Sequence, residues 1–137
     1  MNKRMLVLTA LLVLATGLVA QHKPEFSLRV HPIRDSFAVR EIITLEVTTT
    51  NLTDRTLDSK KYQMPYTYIA KRDGVPAKKI DQSETVGLDP KGLPPHHSVT
   101  GDEYVQHYVD MSQPGKYTIQ LQQGNVKSNV VTVTVIP

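Results

Sequence analysis

The sequence predicts an all-β, antiparallel sandwich, and two observations carry that reading. Beyond the first twenty residues, apolar side chains recur at every second position, the period of a half-buried strand, and no stretch shows a helical period. Turn-forming clusters separate these runs: Asn51-Leu52-Thr53-Asp54, Asp73-Gly74, Gln113-Pro114-Gly115-Lys116 and Gly124-Asn125. A length of 137 residues fits one such domain.

The first twenty residues stand apart. Asn2, Lys3 and Arg4 form a basic head, Met5 to Ala15 run apolar save for Thr9, and small residues follow before a polar start at Gln21-His22-Lys23. That order is the n-region, h-region and cleavage site of a secretory signal. The apolar stretch is short for a bilayer span, which needs about 20 residues. Residues 1–20 are therefore expected to be a signal helix cleaved after Ala20, with Gly17 as the alternative, and residues 21–137 to be the mature domain without a membrane span. No cysteine follows the apolar run, so no lipid anchor is expected.

Each strand follows from its alternation. Phe26, Leu28 and Val30 point one way against Ser27, Arg29 and His31, and Pro32 marks an edge strand. Ile43, Leu45, Val47 and Thr49 share a face opposite Thr44, Glu46 and Thr48. Tyr66 to Lys71 form the next run, and Asp73-Gly74 predicts a hairpin that returns along Val75 to Ile80. Residues 81–97 carry Gly87, Asp89-Pro90, Gly92 and Pro94-Pro95, a density of breakers that predicts a surface loop with room for one edge strand. Ser98 to Met111 place Val99, Val105 and Val109 on one face and Tyr104 and Tyr108 on the other, which calls for a bend or bulge. Tyr117, Ile119 and Leu121 share a face, as do Val131, Val133 and Val135. About seven strands over this length match an immunoglobulin-like sandwich, and Tyr117, just past Pro114-Gly115, stands where a tyrosine corner would.

Charge narrows the function classes. The whole chain carries 16 Lys plus Arg against 13 Asp plus Glu, but Lys3 and Arg4 leave with the signal, so the mature excess is 14 minus 13, or +1. The basic pairs Lys60-Lys61, Lys71-Arg72 and Lys78-Lys79 are scattered among acids, whereas a nucleic-acid binder needs a clustered basic face. Nucleic acid is excluded as a partner. The absence of cysteine removes thiolate metal sites, thiol nucleophiles and redox chemistry. The sequon Asn51-Leu52-Thr53 matters only in a eukaryotic source, and the expected compartment is the bacterial periplasm or exterior.

Three stretches carry a family resemblance. Ile42 to Asp54 (IITLEVTTTNLTD) resembles the strand and turn that open secreted immunoglobulin-like modules. Val109 to Tyr117 (VDMSQPGKY) resembles their Y-D-[LM]-S-x-P-G-x-Y segment, with Val109 in place of the aromatic. Lys127 to Pro137 (KSNVVTVTVIP) resembles their closing strand. Together they resemble the bacterial intracellular proteinase inhibitor family and the immunoglobulin-like prosegment of lysine-specific metalloendopeptidases. The resemblance implies the architecture, and it raises protease inhibition without matching any position to a reactive site.

The search for chemistry finds no catalytic set. There is no G-x-S-x-G elbow, no S-x-x-K and no H-E-x-x-H, and Asp102-Glu103, adjacent on a strand, face opposite ways. His22, His31, His96, His97 and His107 are read as solvated, with no metal and no cofactor expected. The aromatic group Tyr62, Met64, Tyr66 and Tyr68 is the candidate binding surface, because Tyr and Met are enriched where proteins meet partners. The expectation is a non-enzymatic exported module that binds an unidentified protein or polymer. The alternatives are a secreted protease inhibitor presenting loop 81–97, and carbohydrate binding on Tyr66 and Tyr68 as a stacking platform.

Overall fold

A computed structural model describes residues 22–81 and 89–137; the expected signal segment lies outside the described residues. The chain folds as an immunoglobulin-like β-sandwich. Its strands are β1 (Phe26–Pro32), β2 (Ser36–Ala38), β3 (Thr44–Asn51), β4 (Thr67–Arg72), β5 (Val75–Pro76), β6 (Ser98–Tyr104), β7 (Gly115–Gln123), β8 (Val126–Lys127) and β9 (Val131–Ile136). One sheet has the order β1-β3-β6, and the other β2-β9-β7-β4-β5 with β8 paired to β7. All pairings are antiparallel except β2 with β9.

The two-residue period sorts side chains as the sequence implies. Phe26, Leu28 and Val30 from β1, Leu45 and Val47 from β3, Tyr117, Ile119 and Leu121 from β7 and Val131, Val133 and Val135 from β9 are all buried between the sheets. Hydrophobic burial of these faces is the main driving force for the layer arrangement. The tyrosine corner is present: the Tyr117 hydroxyl donates to the Gln113 carbonyl at 2.8 Å. The Asp73-Gly74 turn is also as expected, with φ of 50° and 83° at the two central residues, the left-handed pair that matches strand twist in a two-residue hairpin.

Some elements depart from the sequence reading. The hairpin's return strand is two residues long, because Pro76 lacks an N–H and, after a last bond from Ala77 N–H to the Ala70 carbonyl, Lys78 to Ile80 leave to pair with Val109 and its neighbours. Ser98 to Met111 is broken rather than merely bent: a 3-10 turn at Val105–His107 turns the chain, so Val105 and Val109 are buried while Val99 stays 46% exposed. Phe37 on β2 and the short helix α1 (Ser59–Tyr62), capped by the Asp58 carboxylate, add buried residues that alternation did not flag.

The loop expected at residues 81–97 has a structured second half; residues 82–88 lie outside the described residues. Leu93 is buried and pairs with Leu57 in both directions, at 2.8 and 2.9 Å. Gly92 sits at φ 70°, and a Cβ there would come within 2.5 Å of the Leu57 carbonyl oxygen. Asn51 is the hub. It is fully buried, its Nδ2 donates to the carbonyls of Arg55, Leu93 and Pro94, and its Oδ1 accepts from the backbone N–H and hydroxyl of Thr53. The sequon nitrogen is thus engaged in the core, and a glycan there would require the side chain to leave it.

Candidate functional site

The two sheets differ in width, and the site arises from that mismatch. Beyond β6 no fourth strand of the narrower sheet is found among the described residues, so the inner face of β4 runs out past its cover. Between them lies a cleft of about 560 Å³. Tyr62, Met64, Tyr66 and Tyr68 all line it, so the structure brings together the aromatic group singled out in the sequence. Their exposure differs from a flat platform, however. Tyr62 and Tyr68 are buried, Tyr66 is half-buried, and Met64 at 43% exposed forms part of the rim.

Strand register explains the other walls. On β6 the residues opposite Leu45, Val47 and Thr49 are Glu103, Gly101 and Val99, so these three face inward with the core side of β3. Asp102 falls on the outer face, as alternation requires. Glu103 meets the opposite sheet: the Tyr68 hydroxyl donates to its Oε2 at 2.9 Å. Tyr68 also stacks on Tyr108, with ring centroids 4.6 Å apart and planes at 15°. Burial first, and the adjacent Glu103 carboxylate second, push the Tyr68 hydroxyl far above its ordinary pKa, so it stays a donor at any physiological pH. Tyr66 is raised for the same leading reason, with its hydroxyl bonded to the Thr49 side chain. A Cβ on Gly101 would meet no atom within 4 Å, which locates open space beside the middle of β6.

Gln123 closes the series. It continues the inward face of Tyr117, Ile119 and Leu121 on β7 and lines the cleft at 1% exposure. Its Nε2 donates to the Met64 carbonyl, whereas its Oε1 is buried with no hydrogen-bond partner among the described residues. A buried polar atom left unpaired is costly and calls for an explanation. Sequence reasoning missed Gln123, Glu103, Gly101 and Tyr108. The signal for the first was available: Gln123 is the one polar residue on an otherwise apolar two-residue register.

The backbone of β6 offers a second contact surface. Hydrogen bonds from Asn51 N–H to the His97 carbonyl and from Val105 N–H to the Ile43 carbonyl fix which pairs exchange bonds. By the two-residue alternation of an antiparallel ladder, Val99, Gly101 and Glu103 direct their N–H and C=O groups to β3. Ser98, Thr100, Asp102 and Tyr104 direct theirs away from the sheet, along the edge that borders the cleft. Among the described residues, groups of three or more histidine or carboxylate side chains suited to a metal ion do not occur. His96 contacts Asp54 at 2.7 Å on the surface, while His107 packs edge-on to Tyr104.

No family model matches the chain, and no curated protein does. Among solved structures it is similar to a β-glucosidase from Erythrobacter marinus, at 13% identity and a TM-score of 0.51, over 81% of this chain. The chain spans 15% of that enzyme's length, and the likeness is one of fold. It is also similar to the CARDB domain of a Pyrococcus furiosus protein. The solution structure of that domain gives 15% identity and a TM-score of 0.43, over 82% of this chain and 94% of that one. Its crystal structure, a complex with di-metal ions, gives 15% identity and 0.44, over 82% and 93%.

Proposed function

We propose that this chain is an exported, non-catalytic binding module that receives an extended polypeptide segment as an added strand along β6, with the segment's inward side chains in the cleft. The observation that carries the reading is the outward-facing backbone of β6 bordering a cavity between the sheets. Strand addition to an exposed edge draws affinity from main-chain hydrogen bonds and specificity from pockets for alternate side chains. Export rests on the basic head and apolar run of residues 1–20.

The other sheet edges are blunted. On β1 the Asn129 side chain imitates a neighbouring strand, its Oδ1 accepting from Val30 N–H at 2.8 Å and its Nδ2 donating to the Val30 carbonyl at 2.9 Å. β2 is three residues long, and β5 is two with a proline. β6 is seven residues long, carries no proline and has no strand on its outer edge among the described residues, and natural sheets protect such an edge unless it is used.

This reading fits the tyrosines better than a carbohydrate platform does, since stacking on sugar needs open ring faces and Tyr68 is buried against Tyr108. Protease inhibition through residues 81–97 is less favoured, because Leu93, Pro94 and His97 are tied by hydrogen bonds to Leu57 and Asn51. Peptide display on the chain tests the proposal. Enriched peptides are expected to lose binding to Gly101→Phe, whose ring would fill the open space beside β6. Absence of enrichment, or peptides that bind the variant equally well, would overturn it.

A further inference from the structure

Resting on the reading above, we propose that the cleft selects a cationic side chain, arginine or lysine, at an inward position of the added strand. The cleft is rich in acceptors. Gln123 Oε1 is buried without a partner among the described residues, Glu103 presents its carboxylate inward from β6, and Asp81 lies at the mouth. Among the described residues one cation, Lys79, also lines the cleft, on its exposed side, against the two carboxylates of Glu103 and Asp81.

The chemistry needed is donors without acceptors. A guanidinium has five N–H donors and an ammonium three, and neither accepts. An apolar side chain would fill the volume but leave Gln123 Oε1 unpaired, as it is in the free chain among the described residues, and so gain nothing there. A carboxylate would face Glu103 directly. Tyr66, Tyr68 and Tyr108 supply aromatic walls, and a cation against such rings gains further attraction when water is excluded. Geometry allows the approach: an inward side chain of a strand beside β6 stands next to Gly101, where no atom lies within 4 Å of a Cβ position.

The test is a titration of the isotope-labelled chain, followed by amide and side-chain resonances, with Nα-acetyl-arginine methylamide and its neutral isostere Nα-acetyl-citrulline methylamide. Lysine and norleucine derivatives form the second pair. The cationic member of at least one pair is expected to bind about tenfold or more tighter, the ratio for a charge-assisted hydrogen bond over a neutral one. The shifts should centre on Gly101, Glu103 and the Gln123 side-chain amide. Glu103→Gln keeps an acceptor for Tyr68, so the variant should still unfold cooperatively while the cationic advantage falls. Neutral probes binding the cleft as tightly as charged ones would overturn the inference and leave strand addition standing. Displayed peptides that bind β6 while no charged probe moves these resonances would do the same. Silence from both probes and peptides would remove both proposals.

Discussion

Replacing Asn51 by leucine, which keeps the branched heavy-atom skeleton but no polar atom, removes the hub that joins the end of β3 to the segment feeding β6. Its amide makes five hydrogen bonds, three donated to the carbonyls of Arg55, Leu93 and Pro94 and two accepted from Thr53, at 2.8 to 3.1 Å. Each such bond contributes about 1 kcal/mol net, and a buried group left without its partner costs about 1–3 kcal/mol. Leu93 is buried, so its carbonyl cannot easily recover water, while Arg55 and Thr53 lie nearer the surface and can. With the Arg55 and Thr53 groups rehydrated, the bonds to Leu93 and Pro94 and the unpaired Leu93 carbonyl leave a loss of about 3–5 kcal/mol, a large part of the roughly 5–15 kcal/mol that holds a domain together. Denaturant unfolding followed by circular dichroism reads it directly. Asn51→Asp separates the two halves of the site: it keeps the acceptor for Thr53 but sets a carboxylate against three carbonyl oxygens, so it should be at least as damaging. A leucine variant within 1 kcal/mol of the parent, or an aspartate variant milder than the leucine one, would refute the argument.

Other expectations follow from single contacts. Tyr117→Phe removes the 2.8 Å bond to the Gln113 carbonyl and should lower stability by about 1 kcal/mol in the same unfolding assay. Gly101→Ala should raise it by about 0.5–1 kcal/mol, because the methyl meets no atom within 4 Å and the unfolded chain loses freedom. Burial is the leading cause that raises the hydroxyls of Tyr62, Tyr66, Tyr68 and Tyr117 above the ordinary tyrosine value of 10.0. These groups are neutral in both states below that value, and above it the unfolded chain ionises first. Stability should therefore hold up to about pH 10 and fall as pH rises further. The phenolate absorbance of the buried tyrosines should appear together with loss of the fold, and smooth independent titration of all four in a folded chain would contradict this.

Most of the sandwich was legible because burial enforces parity. The inward sets on β1, β3, β7 and β9 could be read from spacing alone, since a one-residue slip would send every apolar side chain into water. The tyrosine corner was legible for a similar local reason: a proline-glycine turn fixes where the following strand starts. The cleft was not legible as a cavity. Alternation places Val99 inward correctly, but it says nothing of whether another strand lies beyond β6, and Val99 is 46% exposed because none does among the described residues. The tyrosines were legible as a group but not in their burial, which depends on Tyr108 arriving from across the 3-10 turn to stack on Tyr68. Asn51 read as a turn residue and a sequon because its partners at Leu93 and Pro94 are distant in the chain.

Hydrogen exchange along β6, resolved by residue, reaches the central claim most directly. Amides of Val99, Gly101 and Glu103 should be protected by their bonds to β3, while those of Ser98, Thr100, Asp102 and Tyr104 exchange quickly in the free chain and slow when a displayed peptide is added. Uniform protection of all seven without ligand would mean that the edge is already paired, and the strand-addition account would then be wrong.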